Sequence, residues 1–351
     1  MLSRLPLLPL AGLYRAAYRL HHLVCLQSGR PLDNARLIVV GSYLAGGAGK
    51  TPFTAWLAEF ISAHSGCKNP VRDNGAGNTD APDACAQDAN NTGAGNAAAG
   101  ETSAANAAAS ETSTADATAG ETGACKPRIA ILCHSKARDE AEMLRQKFAG
   151  MPQVRVYTTG NRYKTAHELD KDFDYIICDD GFEDTRLAGA ITFRLDWGNP
   201  PASLCDLLPA GNCRSLPADH GEPAHALACG KDVRFEIANV INSEGVSASA
   251  LADASHKPIA ICGIGNTTRF VHDLETFGIH PEYTIRRPDH DIHFSQAIVK
   301  ALSRQSPVII TEKDAARLPR DMRKNPGIYV AYQRVTVSEG AADTILHAIR
   351  A

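Results

Sequence analysis

The sequence predicts an α/β fold with a mostly parallel β-sheet flanked by helices. Short apolar runs, typical of strands buried on both faces, alternate along the chain with segments of helical periodicity. This alternation favours parallel strands, because each parallel pair needs a crossover connection that is usually a helix. The chain has 351 residues, of which 44% are apolar and 21% charged, so it is long enough to bury a sizeable core.

The predicted elements begin with a strand at Arg36–Val40, which leads through a glycine-rich loop into a helix that ends near Gly66. Later strands and helices alternate in the same way. Further strands are predicted at Arg128–Cys133, Tyr175–Cys178, Ile191–Leu195, Pro258–Cys262 and Val308–Ile310. Further helices are predicted at Glu140–Phe148, Tyr163–Leu169, Arg269–Phe277, Ser295–Ser303 and Ala315–Leu318.

Residues 67–126 differ in composition from the rest of the chain. They are rich in Ala, Gly, Asn, Thr and Ser, contain few large apolar side chains, and repeat a Glu-Thr pair at Glu101, Glu111 and Glu121. Such a segment has little apolar surface to bury, and a long surface loop costs little closure entropy. We therefore predict a disordered low-complexity insertion at 67–126.

The first 30 residues predict an amphipathic helix. Apolar residues at helical spacing form one face and basic residues another: Leu10, Leu13, Ala17, Leu20 and Val24 against Arg15, Arg19 and His22. Two interpretations stay open, a helix lying in a membrane interface with its basic side on anionic headgroups, and an ordinary helix packed on the domain. The sequence contains no run of about 20 uncharged apolar residues, so it does not predict a membrane-spanning helix. The formal net charge of −3 does not favour nucleic acid as a partner.

A glycine-rich run joins the first strand to the first helix, where phosphate-binding loops occur; it is Gly46-Gly47-Ala48-Gly49-Lys50-Thr51. Its glycines allow backbone N–H groups to point at phosphate oxygens, and the helix N-terminus adds partial positive charge. Lys50 can reach the β- and γ-phosphates and the Thr51 hydroxyl can bind Mg²⁺, so ATP and Mg²⁺ are the predicted cofactors and Lys50 also a catalytic residue. The match to G-x-x-x-x-G-K-[ST] is partial, because Leu44 stands at its first glycine. A glycine-rich turn with an incidental lysine is the alternative.

Two acids follow the apolar strand Tyr175–Cys178, where a P-loop NTPase-like fold needs them. Asp179 and Asp180 come at the carboxyl end of this strand and precede Gly181. Carboxylates at this position can hold Mg²⁺ or its water ligands, so both are predicted metal residues. A plain turn that ends a strand is the alternative interpretation.

Several motifs follow one another along nearly the whole chain outside the insertion. Beside the phosphate loop with Pro52, they are Asp179-Asp180-Gly181-Phe182, Leu208-Pro209-Ala210-Gly211, Gly263-Ile264-Gly265-Asn266 with Arg269-Phe270, Asp289-His290, and Thr311-Glu312-Lys313-Asp314-Ala315. This ordered set resembles the tetraacyldisaccharide 4'-kinase family of lipid A biosynthesis. The first 30 residues resemble the membrane-associated helix of that family.

The resemblance implies an ATP-dependent phosphotransferase. Its acceptor is the 4'-hydroxyl of a tetraacyldisaccharide 1-phosphate, and its product is lipid IVA. It implies a lipid-linked disaccharide and an anionic membrane surface as partners, with no obligate protein partner. The implied location is the cytoplasmic side of the bacterial inner membrane, with peripheral or N-terminal attachment.

The resemblance also implies catalytic roles for Asp139, His290 and Arg162. Asp139 and Glu140 match an Asp-Glu pair at the start of a helix, and His290 belongs to a late Asp-His pair that acts with Asp139 on the acceptor hydroxyl. A carboxylate tuned by an imidazole suits a sugar alcohol, which is a poor nucleophile. Arg162 resembles an arginine that neutralises phosphate charge, and Glu140 is assigned to the metal. Without the resemblance, Asp139 and Glu140 are ordinary acids of a helix's first turn.

The domain prediction has four parts. They are a membrane-associated helix at 1–30, a P-loop nucleotide-binding core at 31–66 and 127–250, the insertion at 67–126, and an α/β part at 251–351 that completes the kinase fold. Four positions depart from the family pattern: Ser135 lies where an Arg-Gly-Tyr element is usual, and Glu183, Ser215 and Asp291 replace a glutamine, a glutamate and a histidine. Two alternatives stay open: another P-loop kinase or ligase with a soluble acceptor, and a weakly active or inactive relative that binds nucleotide or lipid.

Overall fold

The computed structural model describes residues 6–25, 29–66, 125–187, 189–220, 224–249, 257–289 and 291–351. The insertion predicted at 67–126 lies outside these ranges except for its last two residues, and His290 lies outside them as well. Within these ranges, no helix is both long and apolar enough to cross a membrane.

Six parallel strands form the first sheet, in the order β3-β2-β4-β1-β5-β6. They are β1 (Arg36–Gly41), β2 (Ile129–His134), β3 (Val154–Thr159), β4 (Tyr175–Asp179), β5 (Ile191–Asp196) and β6 (His225–Ala228). In the centre, Ile38 of β1 pairs with Ile177 on one side and Ile191 on the other. The central strands are apolar at nearly every position because helices cover both faces of the sheet.

Helices cover the two faces of this sheet unequally. The covering helices are α2 (Lys50–His64), α3 (Arg138–Lys147), α4 (Arg162–Leu169) and the C-terminal α9 (Glu339–Arg350). On one face, Ile38 and Val40 pack with Phe53 of α2, in a core that α3 and α9 also join. On the other face, Leu37 packs in a core with Ala166 of α4. Adjacent residues of one strand therefore serve different cores, as the period of two requires.

Five strands form the second sheet, in the order β7-β11-β10-β8-β9. They are β7 (Val233–Ile241), β8 (Ile259–Cys262), β9 (Thr284–Arg286), β10 (Val308–Thr311) and β11 (Ile328–Val337). β7 runs antiparallel to β11, and the other pairs are parallel. The helices of this part are α5 (Thr267–Thr276), α6 (Phe294–Leu302), α7 (Glu312–Ala316) and α8 (Arg320–Arg323). Phe270 of α5 packs on one face and Phe294 of α6 on the other.

The N-terminal helix α1 (Leu8–Cys25) packs on the first-sheet part through Ala11, which is fully buried beside Leu207. Both arginines of its predicted basic face contact one carboxylate, since Arg15 and Arg19 lie 3.1 and 2.9 Å from Asp219. The apolar face stays largely exposed: Leu13, Leu20 and Leu23 are 67, 63 and 77% accessible. The helix therefore packs on the body of the protein and still presents apolar side chains to the outside.

Every strand and helix predicted from the sequence is present, with ends shifted by a few residues. β3, β6, β7, β9 and β11 were not predicted. β7 alternates buried and exposed residues, as expected of a strand with one exposed face, so it lacks the continuous apolar run of β1. The division predicted at residue 250 stays a prediction, and β7, which precedes it, pairs in the second sheet.

Candidate active site

The loop at residues 46–51 has the backbone that its glycines allow. Gly47 and Gly49 adopt left-handed conformations with φ of 70° and 79°. A Cβ on Gly49 would lie 2.5 Å from the ring of Phe235, so a larger residue at this position would be strained. Lys50 is the first residue of α2, and the loop's backbone therefore leads into a helix N-terminus.

Lys50 and Thr51 contact the two acids that end β4. The Lys50 amine lies 3.2 Å from Asp180 Oδ1, and the Thr51 hydroxyl donates to Asp179 Oδ2 at 2.8 Å. The Thr54 hydroxyl donates to the other oxygen of Asp179 at 3.0 Å. The predicted loop and the predicted acids thus meet at the carboxyl ends of β1 and β4, which pair in register.

The two acids have opposite electrostatic surroundings. Burial raises the pKa of Asp179 above its ordinary value, although Thr51 and Thr54 donate hydrogen bonds to it. Burial also favours the neutral form of Asp180, but Lys50 and Arg214 outweigh it and hold the pKa of Asp180 below its ordinary value. Asp180 is therefore ionised at neutral pH.

Arginines 162 and 214 complete this side of the site. Arg162, the first residue of α4, donates from Nη2 to the backbone oxygen of Asp179 at 2.8 Å. Arg214 donates to both Asp180 oxygens at 3.0 Å and to the backbone oxygen of Ala45 at 2.8 Å. Two guanidinium groups therefore donate hydrogen bonds to the carboxyl end of β4, beside the phosphate loop.

A second group of charges gathers around Lys313, at the start of α7. Its amine lies 2.8 Å from Glu140 Oε1, 3.0 Å from Asp289 Oδ1 and 3.7 Å from Asp139 Oδ2. Burial favours the neutral amine, but the carboxylates outweigh it and raise the pKa of Lys313. The structure thus brings the predicted pair Asp139-Glu140 to the residue that precedes His290, which itself lies outside the described residues.

Both groups of charges line one cavity of about 700 Å³. Its walls include the whole phosphate loop, Arg162, Asp179, Asp180, Glu140, Asp289 and Lys313. Asp139 is buried beside it, with a side chain that is 5% exposed. The loop that follows β8 of the second sheet lies against the phosphate loop, since a Cβ on Gly265 would lie 3.2 Å from backbone atoms of Gly46 and Gly47.

Four further residues of the site were not predicted as such. Arg214 and Lys313 are held by the acids described above. Trp197 donates to the backbone oxygen of Ala48 at 3.0 Å, and Arg269 stacks over the Trp197 ring at 4.4 Å. Lys313 and Arg269 belong to motifs identified in the sequence, and those motifs could have marked both as site residues. Nothing local in the sequence marks Trp197, since its role depends on the approach of a distant loop.

The predicted metal residues fall into two places. Thr51, Asp179 and Asp180 adjoin one another beside the phosphate loop, whereas Glu140 is held by the Lys313 amine. In the part of the chain that the structure describes, no group of three or more His, Cys, Asp or Glu side chains is arranged to hold a metal ion. The metal assignment stays a prediction, and oxygen donors at Thr51 and the two aspartates are the kind Mg²⁺ takes.

The fold and the site define a class: an α/β protein of the P-loop type, whose charged groups surround a cavity suited to phosphoryl transfer. A family model described as LpxK: Tetraacyldisaccharide-1-P 4'-kinase matches residues 3–91 and 132–350, and the chain belongs to this family. The family predicted from the sequence motifs is thereby confirmed.

Individual relatives agree. The tetraacyldisaccharide 4'-kinase of Shewanella loihica is 27% identical over 336 residues, covering 91% of this chain and 84% of the relative. That of Actinobacillus pleuropneumoniae serotype 7 is 30% identical over 191 residues, covering 51% of this chain and 57% of the relative. The crystal structure of "apo" form LpxK from Aquifex aeolicus in complex with ATP has a TM-score of 0.58 and 16% identity, covering 100% of this chain and 99% of that one. The predicted fold class is confirmed.

Proposed function

We propose that the chain transfers the γ-phosphoryl group of ATP to the 4'-hydroxyl of a tetraacylated disaccharide 1-phosphate, giving the bisphosphate and ADP. The tetraacyldisaccharide 4'-kinase activity follows from family membership, since the family model spans both the phosphate loop and the C-terminal part. ATP as the donor is supported above all by residues 46–51, where left-handed glycines, a helix N-terminus and the Lys50 amine line one cavity.

Lys50 and the loop's backbone amides bind the phosphates in this proposal. In the structure, Lys50 and Arg214 both contact the Asp180 carboxylate. An incoming triphosphate therefore competes with that carboxylate for the Lys50 amine. Thr51, Asp179 and Asp180 would hold Mg²⁺, which when bound neutralises charge on the phosphate oxygens. Arg162 adds positive charge from the start of α4.

Asp139 takes the proton of the acceptor hydroxyl in this proposal. The sugar oxygen then attacks the γ-phosphorus, the bond from that phosphorus to the β–γ bridging oxygen breaks, and ADP leaves. The Lys313 amine, 3.7 Å from Asp139 Oδ2, holds this carboxylate beside the cavity. The role of His290 stays a prediction, supported by the position of Asp289 in the same cavity.

The direct test uses the full-length protein, labelled ATP, Mg²⁺ and a tetraacylated disaccharide 1-phosphate in detergent micelles. We expect labelled bisphosphate, and we expect Asp139→Asn to lower kcat at least about 100-fold while ATP binding is retained. Nucleotide binding without product would favour the inactive relative, and transfer only to a soluble alcohol would favour another P-loop kinase. Near-normal turnover by Asp139→Asn would exclude Asp139 as the base.

The exposed apolar face of α1 supports a membrane surface as the place where the chain acts, and the family alone supports an anionic surface on the cytoplasmic side of the inner membrane. Leu13 and Leu20 project from a helix whose other side packs on the body of the protein. We expect Leu13→Glu with Leu20→Glu to reduce sedimentation with anionic vesicles. Val299→Glu is the control, because Val299 of α6 is also an exposed apolar residue, at 55% accessibility. Equal sedimentation of both variants would rule out docking through α1.

A further inference from the structure

The Lys313 amine joins carboxylates from two parts of the protein. Asp139 and Glu140 lie in the first turn of α3, which packs on the first sheet, and Asp289 follows β9 of the second sheet. All three lie within 3.7 Å of the amine, and two lie within 3.0 Å. The Lys313 side chain is only 17% exposed, so water screens its contacts with Asp139 and Glu140 weakly, whereas the Asp289 side chain is 41% exposed.

The backbone that carries Lys313 is itself fixed. Thr311 precedes α7 and its hydroxyl accepts a hydrogen bond from the Asp314 amide at 3.1 Å while donating to the Asp314 carboxylate at 2.8 Å. Asp314 is fully buried and also accepts from the Gly263 amide at 3.2 Å. The lysine therefore reaches towards α3 from an anchored turn of the second sheet.

We propose that Lys313 is a positioning residue of the phosphoryl transfer, which holds the Asp139-Glu140 pair and the Asp289 loop together beside the cavity. The inference rests on the function proposed above. An ammonium group has three donors, and three carboxylates surround this one, so Lys313 has little capacity left to bind a phosphate. Lys50 has more capacity to bind a phosphate, because its carboxylate partner Asp180 is also held by Arg214.

Charge explains why these acids need the lysine. Without it, three carboxylates would crowd one side of a cavity that must also admit phosphates, and like charges at such distances repel strongly when partly buried. The acids would then move apart. Displacing a catalytic group by about 1 Å is enough to cost roughly 100-fold in rate.

The test compares Lys313→Met, Lys313→Arg and Lys300→Met, a control that removes an exposed lysine from α6. We expect Lys313→Met to lower kcat by about 100-fold while the ATP dissociation constant, measured directly, changes less than about 3-fold. Lys313→Arg should recover at least about 10-fold of that loss, because a guanidinium also bridges carboxylates. Lys300→Met should match the unmodified protein.

Two results would overturn the proposal. One is a kcat within about 2-fold of normal for Lys313→Met. The other is an equal loss of kcat and ATP affinity in both Lys313 variants, which would mean a general loss of structure.

Thermal unfolding of Lys313→Met, Glu140→Gln and the double variant tests the contact without activity. We expect the double variant's loss in Tm to fall short of the sum of the single losses, each of which we place at about 2–4 °C. Additive losses would reject the contact. If the unmodified protein makes no bisphosphate, the proposed function fails, and this cycle still decides whether Lys313 ties the acids together.

Discussion

Lys50 and Lys313 line the same cavity, and each contacts acids, but they are placed by different means. Lys50 is placed by its neighbours in sequence, because left-handed glycines lead into the helix that it begins. Lys313 is placed by contacts between segments far apart in the chain, at α3 and after β9. The first lysine is part of a local motif, and the second joins two sheets. A local motif therefore places the Lys50 side of the cavity, where we propose that the phosphates bind, whereas assembly of the fold places the Lys313 side, where we propose that the acceptor binds.

The largest expected effect is at Lys50. We expect Lys50→Met to lower kcat/KM by about 1,000-fold or more, because it removes the cation that we propose binds the phosphates. Lys50→Arg should not recover it, since the Lys50 side chain is only 10% exposed and a planar guanidinium is bulkier than a compact ammonium group. Steady-state kinetics with both variants provide the measurement. If arginine restored activity equally well at positions 50 and 313, the proposed difference between the two lysines would be wrong.

The next effect concerns the loop that places Lys50. Gly49→Ala forces a side chain into a left-handed backbone and against the Phe235 ring, so we expect a loss of about 1–3 kcal/mol in the free energy of unfolding. Gly46→Ala is the matched change, because a Cβ there meets nothing within 4 Å. It should alter stability by less than about 0.5 kcal/mol. Denaturant unfolding of both variants checks this, and equal losses would show that the loop tolerates substitution at Gly49.

The contribution of Asp180, the acid beside Lys50, to the stability of the fold is expected to depend on pH. Burial opposes ionisation of Asp180, but Lys50 and Arg214 hold its folded-state pKa below the unfolded value of 3.8. Its ionised form therefore stabilises the fold above that value, and the stabilisation is lost as the pH falls through the folded-state pKa. We expect Asp180→Asn to lower the Tm at pH 7 and the difference from the unmodified protein to shrink below about pH 4. A difference in Tm that is constant over this range would contradict the assignment.

The smallest effect is expected at Thr54, which donates to Asp179 from a fully buried position. Thr54→Val keeps the shape and removes one hydrogen bond, so we expect a loss of about 1 kcal/mol in the free energy of unfolding, with turnover reduced less than by Thr51→Val. Thr344→Val on α9 is the control, since its hydroxyl is exposed. Thermal scans compare the pair, and an equal Tm for both variants would mean that Thr51 alone supports Asp179.

Sequence patterns were sufficient to predict the central strands and to find the residues of the loop and of the two acids that meet beside them. β1 and β4 are continuous apolar runs, so they were recognisable without partners, and Lys50, Thr51 and Asp179 adjoin them. β7 was missed because its exposed face breaks the apolar run. The Arg15 and Arg19 contacts with Asp219 were also missed, since a helical pattern shows which residues share a face but not what that face meets.

The sequence by itself determined the α/β class, the phosphate loop and the family, because these depend on residues that are adjacent or evenly spaced along the chain. Only the tertiary structure decided that Lys313 meets Asp139 and Glu140, and that Arg214 shares Asp180 with Lys50. Such contacts are set by the packing of two sheets and their loops. Short-range spacing carries no information about which distant charges that packing brings within a few ångströms of each other.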